Sequence, residues 1–106
     1  MTKTIRSLVV LAAAISLAGA VGFAQSSGEA IYKAKCQMCH GATGAADTPT
    51  AKMLKVKPLA DPAIKALTAA QMAEVVKNGK GKMPSYKDKL TDAQIKDGVT
   101  YYRGLK

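Results

Sequence analysis

Tryptophan is absent from this 106-residue chain, and phenylalanine and histidine each occur once. The one phenylalanine, Phe23, lies near the N-terminus, so beyond it only four tyrosines remain as large rings for a core. Cysteine is confined to Cys36 and Cys39. A zinc site takes about four ligands, and two cysteines with one histidine cannot complete it. No run of β-branched and aromatic residues reads as a strand, which removes the β-α-β setting of a C-x-x-C redox disulfide. Aromatic residues do not interleave with the lysines, so a stacking platform for single-stranded nucleic acid is excluded. Acidic residues are few, 7 against 16 Lys plus Arg.

The scarce residues are gathered in one place. Cys36-Gln37-Met38-Cys39-His40 holds both cysteines and the only histidine. C-x-x-C-H is the attachment pattern of a c-type haem. Two thiols three residues apart share one side of a helical turn, so each can add to one porphyrin vinyl group. The adjacent imidazole then falls under the iron as an axial ligand. A plain structural disulfide would leave His40 without a role. The expected cofactor is therefore one covalent haem c, held by Cys36, Cys39 and His40.

The N-terminus has the pattern of a secretory leader. Lys3 and Arg6 precede an almost unbroken apolar run from Leu8 to Val21, followed by small residues at Gly22 and Ala24. The run is shorter than the ~20 residues of a spanning helix. Residues 1–24 are thus expected to be a signal peptide cleaved after Ala24, giving a periplasmic protein with no stable membrane insertion. Residues 25–106 would be a single domain of 82 residues, near the size at which one core is marginal. The haem would staple it. Without Lys3 and Arg6 the balance is 14 basic to 7 acidic residues. Such a charge suits an acidic protein face and gives no reason to expect nucleic acid.

Capping signals divide the domain into short helices. Ser27 precedes a helix from about Gly28 to Cys39, ended by Gly41 and Gly44. The segment 41–49 is too small and polar to pack by itself and is expected to wrap over the haem. Thr48-Pro49 opens a short helix to Leu54, Val56–Leu59 is extended before and through Pro58, and Asp61-Pro62 opens another turn. Thr68-x-x-Gln71 and Thr91-x-x-Gln94 are capping boxes for two longer helices. The first runs to Lys77, closed by Asn78-Gly79, with Met72, Val75 and Val76 on its core face. The second runs to about Gly104, with Ile95, Val99 and Tyr102 or Leu105 turned inward. Between them, 80–86 is irregular. The fold class is all-α: four to five short helices and long loops around one haem.

The iron has a sixth position, and four methionines compete for it beyond Met1. Met38 is inside the attachment motif, on the wrong side of the ring. Met72 sits on an apolar helical stripe and Met53 on a short helix, both read as core filler, with Met53 the second choice of ligand. Met83 lies in a Gly-rich loop before Pro84, with no core stripe to join. It is the expected ligand.

Taken together, these residues resemble a class I cytochrome c over the whole of 25–106. Gly28-x-x-x-Tyr32-x-x-x-Cys36 resembles the N-terminal helix of that family, Thr48-Pro49 its proline loop, Asn78-Gly79 through Met83-Pro84 its methionine loop, and Tyr101–Leu105 the end of its last helix. The resemblance implies a one-electron carrier with His40 and Met83 as axial ligands. It also implies that Pro49 C=O accepts the His40 Nδ1–H, and that Pro84 and Tyr86 shape the wall beside the iron. Gly98 departs from the aliphatic residue usual there, and is expected to let the terminal helices cross closely near Gly28. Redox partners with acidic faces would dock on lysines around the haem edge (Lys33, Lys35, Lys52, Lys55, Lys57, Lys80, Lys82, Lys87, Lys89), with the carrier a monomer and not an enzyme. The alternatives are a dedicated electron-transfer subunit of a dehydrogenase or oxidase, and a peroxidase-like enzyme, for which no distal His or Arg is evident.

Overall fold

The structure, a computed structural model, describes residues 27–106, and the leader and its cleavage site lie outside the described residues. Six helices follow in order: α1 over residues 27–35, α2 Gln37–His40, α3 Pro49–Leu54, α4 Pro62–Lys65, α5 Ala69–Asn78 and α6 Asp92–Arg103. Among the described residues there is no strand, only an isolated bridge between Lys80 and Met83. The fold is all-α.

Helix starts follow the chemistry of the sequence closely. Thr68 and Thr91 both close full capping boxes: each Thr Oγ1 accepts its Gln N–H at 3.1 Å, and each Gln Oε1 accepts the Thr N–H at 2.8 Å. Thr48 caps α3 through the Ala51 amide at 3.0 Å, and Asp61 caps α4 through Ala63 at 2.9 Å. Each of these short helices has its proline at the first helical position.

One expected helix is two. The segment from Gly28 to Cys39 kinks at Cys36, where φ is −117° and the chain re-enters as α2. Cys36 still donates to Tyr32 O at 2.8 Å, but Cys39 donates to Cys36 O at 3.2 Å, one residue short of the α pattern. That kink raises the helix count above the four to five expected.

The core lies between α5 and α6. Met72, Ile95 and Val99 are buried together, with Ile64, Leu67, Val76, Leu90 and Tyr102 packed around them. α1 crosses α6 at two glycines. A Cβ at Gly28 would lie 2.5 Å from Asp97 O, and one at Gly98 3.2 Å from Ile31 Cγ2. Gly98 thus allows the close crossing expected of it, although its own neighbour is Ile31.

The two glycines should differ in their tolerance of alanine. Gly28→Ala meets backbone and is expected to cost about 1–3 kcal/mol by overpacking. Gly98→Ala meets only the Ile31 γ-methyl at 3.2 Å, a tight contact rather than a backbone clash, and gains up to about 1 kcal/mol of helix propensity, so its net effect is close to zero. Denaturant midpoints of the two variants check this, and equal losses would refute it.

Candidate haem-binding cleft

The attachment motif sits on α2, and the chain around it is arranged to hold that short helix. Three of its carbonyls are met: Gly41 N–H donates to Gln37 O at 2.8 Å, Ala46 N–H to His40 O at 2.9 Å, and Thr48 Oγ1 to Met38 O at 2.6 Å. The buried Tyr32 hydroxyl donates to Gly41 O. The 41–48 loop is therefore fastened to the rest of the protein, with Gly44 close to Leu59 and Tyr102.

The methionine loop is held as firmly. Lys80 and Met83 exchange backbone hydrogen bonds at 3.0 Å each, closing a tight turn with Gly81 at φ +57°. The end of α5 is satisfied by this loop, through Ser85 Oγ to Lys77 O at 2.6 Å and Tyr86 N–H to Val76 O at 3.0 Å. Gly79, at φ +77°, leaves only 2.9 Å between its Cβ position and Met83 O. Glycine is required there for both reasons. The sequence marked it only as a helix stop.

Cys36, His40 and Met83, 47 residues apart at the extremes, line one cleft. It encloses about 160 Å³, is partly open to solvent, and the rest of its wall is apolar: Ile31, Ile64, Leu67, Val75, Val76, Leu90, Ile95 and Val99 among others. That is the character of a site for an apolar group that remains open at one edge. Burial lowers the His40 pKa, which favours the neutral imidazole that binds metal. Burial and the neighbouring Cys39 push the Cys36 thiol up to about 11. Tyr102 packs on His40 with ring centroids 5.3 Å apart, and Tyr32 stacks on Tyr102 at 5.9 Å. The sequence offered no signal for the Tyr102–His40 contact beyond an inward-facing position on α6.

Three expected neighbours, Pro49, Pro84 and Tyr86, do not line the cleft. His40 Nδ1 is buried without a hydrogen-bond partner, so the Pro49 carbonyl does not hold it. Pro49 is the first residue of α3, where its carbonyl is directed into the helix. Pro84 is exposed, and Tyr86 is half-buried outside the cleft lining. The Lys80–Met83 turn brings Met83 in and leaves Pro84 out. Burial, and after it the two nearby thiols, raise the Tyr86 pKa, and its hydroxyl donates to Lys35 O at 3.2 Å. Cys39 is half-buried and does not line the cleft.

The other methionines separate by burial. Met72 is 6% exposed, and its sulfur accepts from Arg103 Nη1 at 3.8 Å. Met53 is 72% exposed, as is Met38. Met53 as core filler is therefore a misreading: buried Ala51 marks the inner face of α3, and two residues on, Met53 points outward. Met72→Ala is expected to cost about 2–5 kcal/mol, and Met53→Ala less than about 0.5 kcal/mol. Chemical denaturation of both variants tests the assignment.

The sequence model of the family described as "Cytochrome C oxidase, cbb3-type, subunit III" matches residues 23–101. The chain belongs to the cytochrome c family. Two cytochromes c6 are similar to it. That of Cyanidium caldarium is 39% identical over 74 residues, covering 70% of this chain and 64% of the relative. That of Leptolyngbya boryana is 37% identical over 76 residues, covering 72% and 86%. This cytochrome is of the small class I type, whose members carry one covalently attached haem c. The cytochrome's own residues fit that group: a kinked helix carrying two thiols, a half-buried imidazole, an apolar cleft, and a thioether brought in from a separate loop.

Proposed function

We propose that this cytochrome is an exported single-electron carrier, with Cys36 and Cys39 as thioether links and His40 and Met83 as axial ligands. The observation that carries the reading is the convergence of Cys36, His40 and Met83 on one apolar cleft. The haem would supply a reversible one-electron couple, and with His40 and Met83 both holding the iron the site suits a carrier rather than an enzyme. A thioether, being neutral, favours the ferrous state and keeps the potential high. The chain binds and orients the group: the kink at Cys36 sets the thiols, Tyr102 packs on the imidazole, and the Lys80–Met83 turn presents the sulfur.

No described helix is long and apolar enough to cross a membrane. Export follows from the leader pattern of residues 1–24, with release to the periplasm after Ala24. The mass of the exported protein tests it: a chain from Gln25 plus one haem is expected, and a mature mass that retains Lys3 and Arg6 refutes cleavage.

Acidic faces of redox partners would meet the monomer's lysines. Lys35, Lys52, Lys55, Lys57, Lys80, Lys82, Lys87 and Lys89 are all exposed. Lys33 is already paired with Glu29 at 2.8 Å and contributes less free charge. Redox interfaces are small, so steering acts on association rate. The rate with an acidic partner is expected to fall by an order of magnitude or more between low salt and about 1 M, as the Debye length shrinks to about 3 Å. Stopped-flow mixing across salt concentrations measures this, and a flat profile would reduce the lysines to a solubility device.

The family description names an oxidase subunit, which favours a second reading: a dedicated electron-transfer subunit of such a complex. Affinity purification from the exported fraction separates the two. A carrier elutes alone, and a subunit brings its complex with it.

A further inference from the structure

A regular helix through the attachment motif would use the Lys35 carbonyl as the acceptor of the Cys39 amide. The kink removes that partner, because Cys39 N–H turns to Cys36 O at 3.2 Å. A released backbone carbonyl needs another donor. It comes from 51 residues away, the Tyr86 hydroxyl at 3.2 Å.

Tyr86 is also the base of the methionine loop. Its amide donates to Val76 O at 3.0 Å, and its carbonyl accepts from Leu90 N–H at 2.9 Å. Lys89 Nζ lies 5.6 Å from its ring centroid, on the outer side. Met83 is three residues upstream, inside the turn closed by Lys80. One side chain thus joins the segment that carries the thiols to the segment that carries the thioether.

From this geometry we infer that Tyr86 is a latch: its hydroxyl fastens the Met83 loop to the kinked turn of Cys36 and Cys39, and so sets how firmly the Met83 sulfur is held in place. The inference rests on Met83 being an axial ligand. Tyr86 is then a positioning residue, acting on the iron through Met83. Its hydroxyl bond takes the carbonyl that the turn at Cys36 leaves without the Cys39 amide, so the segment of haem attachment and the hold on the sixth ligand are joined.

Imidazole added to the ferric holoprotein competes with Met83 for the iron, and its apparent affinity reads the strength of that hold. Tyr86→Phe keeps the ring and deletes only the latch. It is expected to bind imidazole about 2- to 10-fold more tightly than the parent, the range of one hydrogen bond. Amide hydrogen exchange at Met83 and Tyr86 should accelerate by a similar factor. Thr100→Val is the control, because Thr100 Oγ1 donates to Lys96 O at 2.8 Å on the outer face of α6, a bond of the same kind elsewhere. It should leave imidazole affinity unchanged. An unchanged affinity in Tyr86→Phe, or an equal rise in Thr100→Val, overturns the latch. Met83→Ala tests the underlying ligand assignment separately: if it keeps the iron–sulfur absorption band, the assignment fails whatever Tyr86 does.

Discussion

Met83→Ala is expected to lower the reduction potential by well over 59 mV and to abolish the ferric iron–sulfur absorption band. As an iron ligand the sulfur would be neutral and favour ferrous iron, and its replacement by water or by a nearby lysine would remove that preference. Each ~59 mV of a one-electron couple is a tenfold change, about 1.4 kcal/mol. Axial ligand choice moves haem potentials over about 0.8 V, so a shift of several such steps is within range. Among the described methionines only Met83 combines half-burial, a place in the cleft and freedom from another partner. Met72 is committed to the core and to Arg103, and Met53 faces solvent. Redox titration and the visible spectrum of the variant read the effect. A potential within about 20 mV of the parent with the band intact would remove Met83 from the site; on the scale above, 20 mV is about 0.5 kcal/mol.

The second large effect concerns folding. Preventing haem attachment, by Cys36→Ala together with Cys39→Ala, is expected to leave a chain without a cooperative unfolding transition at 25 °C. The buried hydrophobic set among the described residues is small, consisting of Tyr32, Ala51, Met72, Ile95 and Val99. The cleft runs directly beside it, sharing Tyr32, Met72, Ile95 and Val99 as walls. The half-buried wall residues Ile31, Ile64, Leu67, Val75, Val76 and Leu90 gain full burial only when a large apolar group covers them, at ~25 cal/mol per Å². Domains of this size hold only about 5–15 kcal/mol of net stability, so losing that cover consumes most of it. Far-UV circular dichroism against denaturant and amide exchange in α1, α5 and α6 measure the loss. A sharp two-state transition in the double variant would show that the polypeptide core suffices.

The helix starts were legible because each rests on local hydrogen bonding. Thr48, Asp61, Thr68 and Thr91 satisfy orphan amides within three residues, so their spacing in the sequence is already the structure. The attachment motif was legible for the same reason, being five consecutive residues. Met83 could be singled out because the capping pattern placed the other methionines on helices. Long-range contacts were not legible from such spacing. The Tyr86–Lys35 bond and the Tyr102–His40 packing join residues 51 and 62 positions apart, and no local pattern encodes them. Met53 shows the opposite failure. Its helix is too short for periodicity to say which face is buried, and the one buried residue, Ala51, is too small to have marked it. The kink at Cys36 was hidden because no proline or glycine signals it.

The most direct test of the central claim, that His40 and Met83 hold the iron of a single covalent haem between them, is the absorption and magnetic spectrum of the purified ferric protein. Low-spin six-coordinate iron with an iron–sulfur charge-transfer band, unchanged in Met53→Ala and absent in Met83→Ala, is the predicted result. High-spin ferric iron in the parent protein, or a band that survives in Met83→Ala, would contradict it.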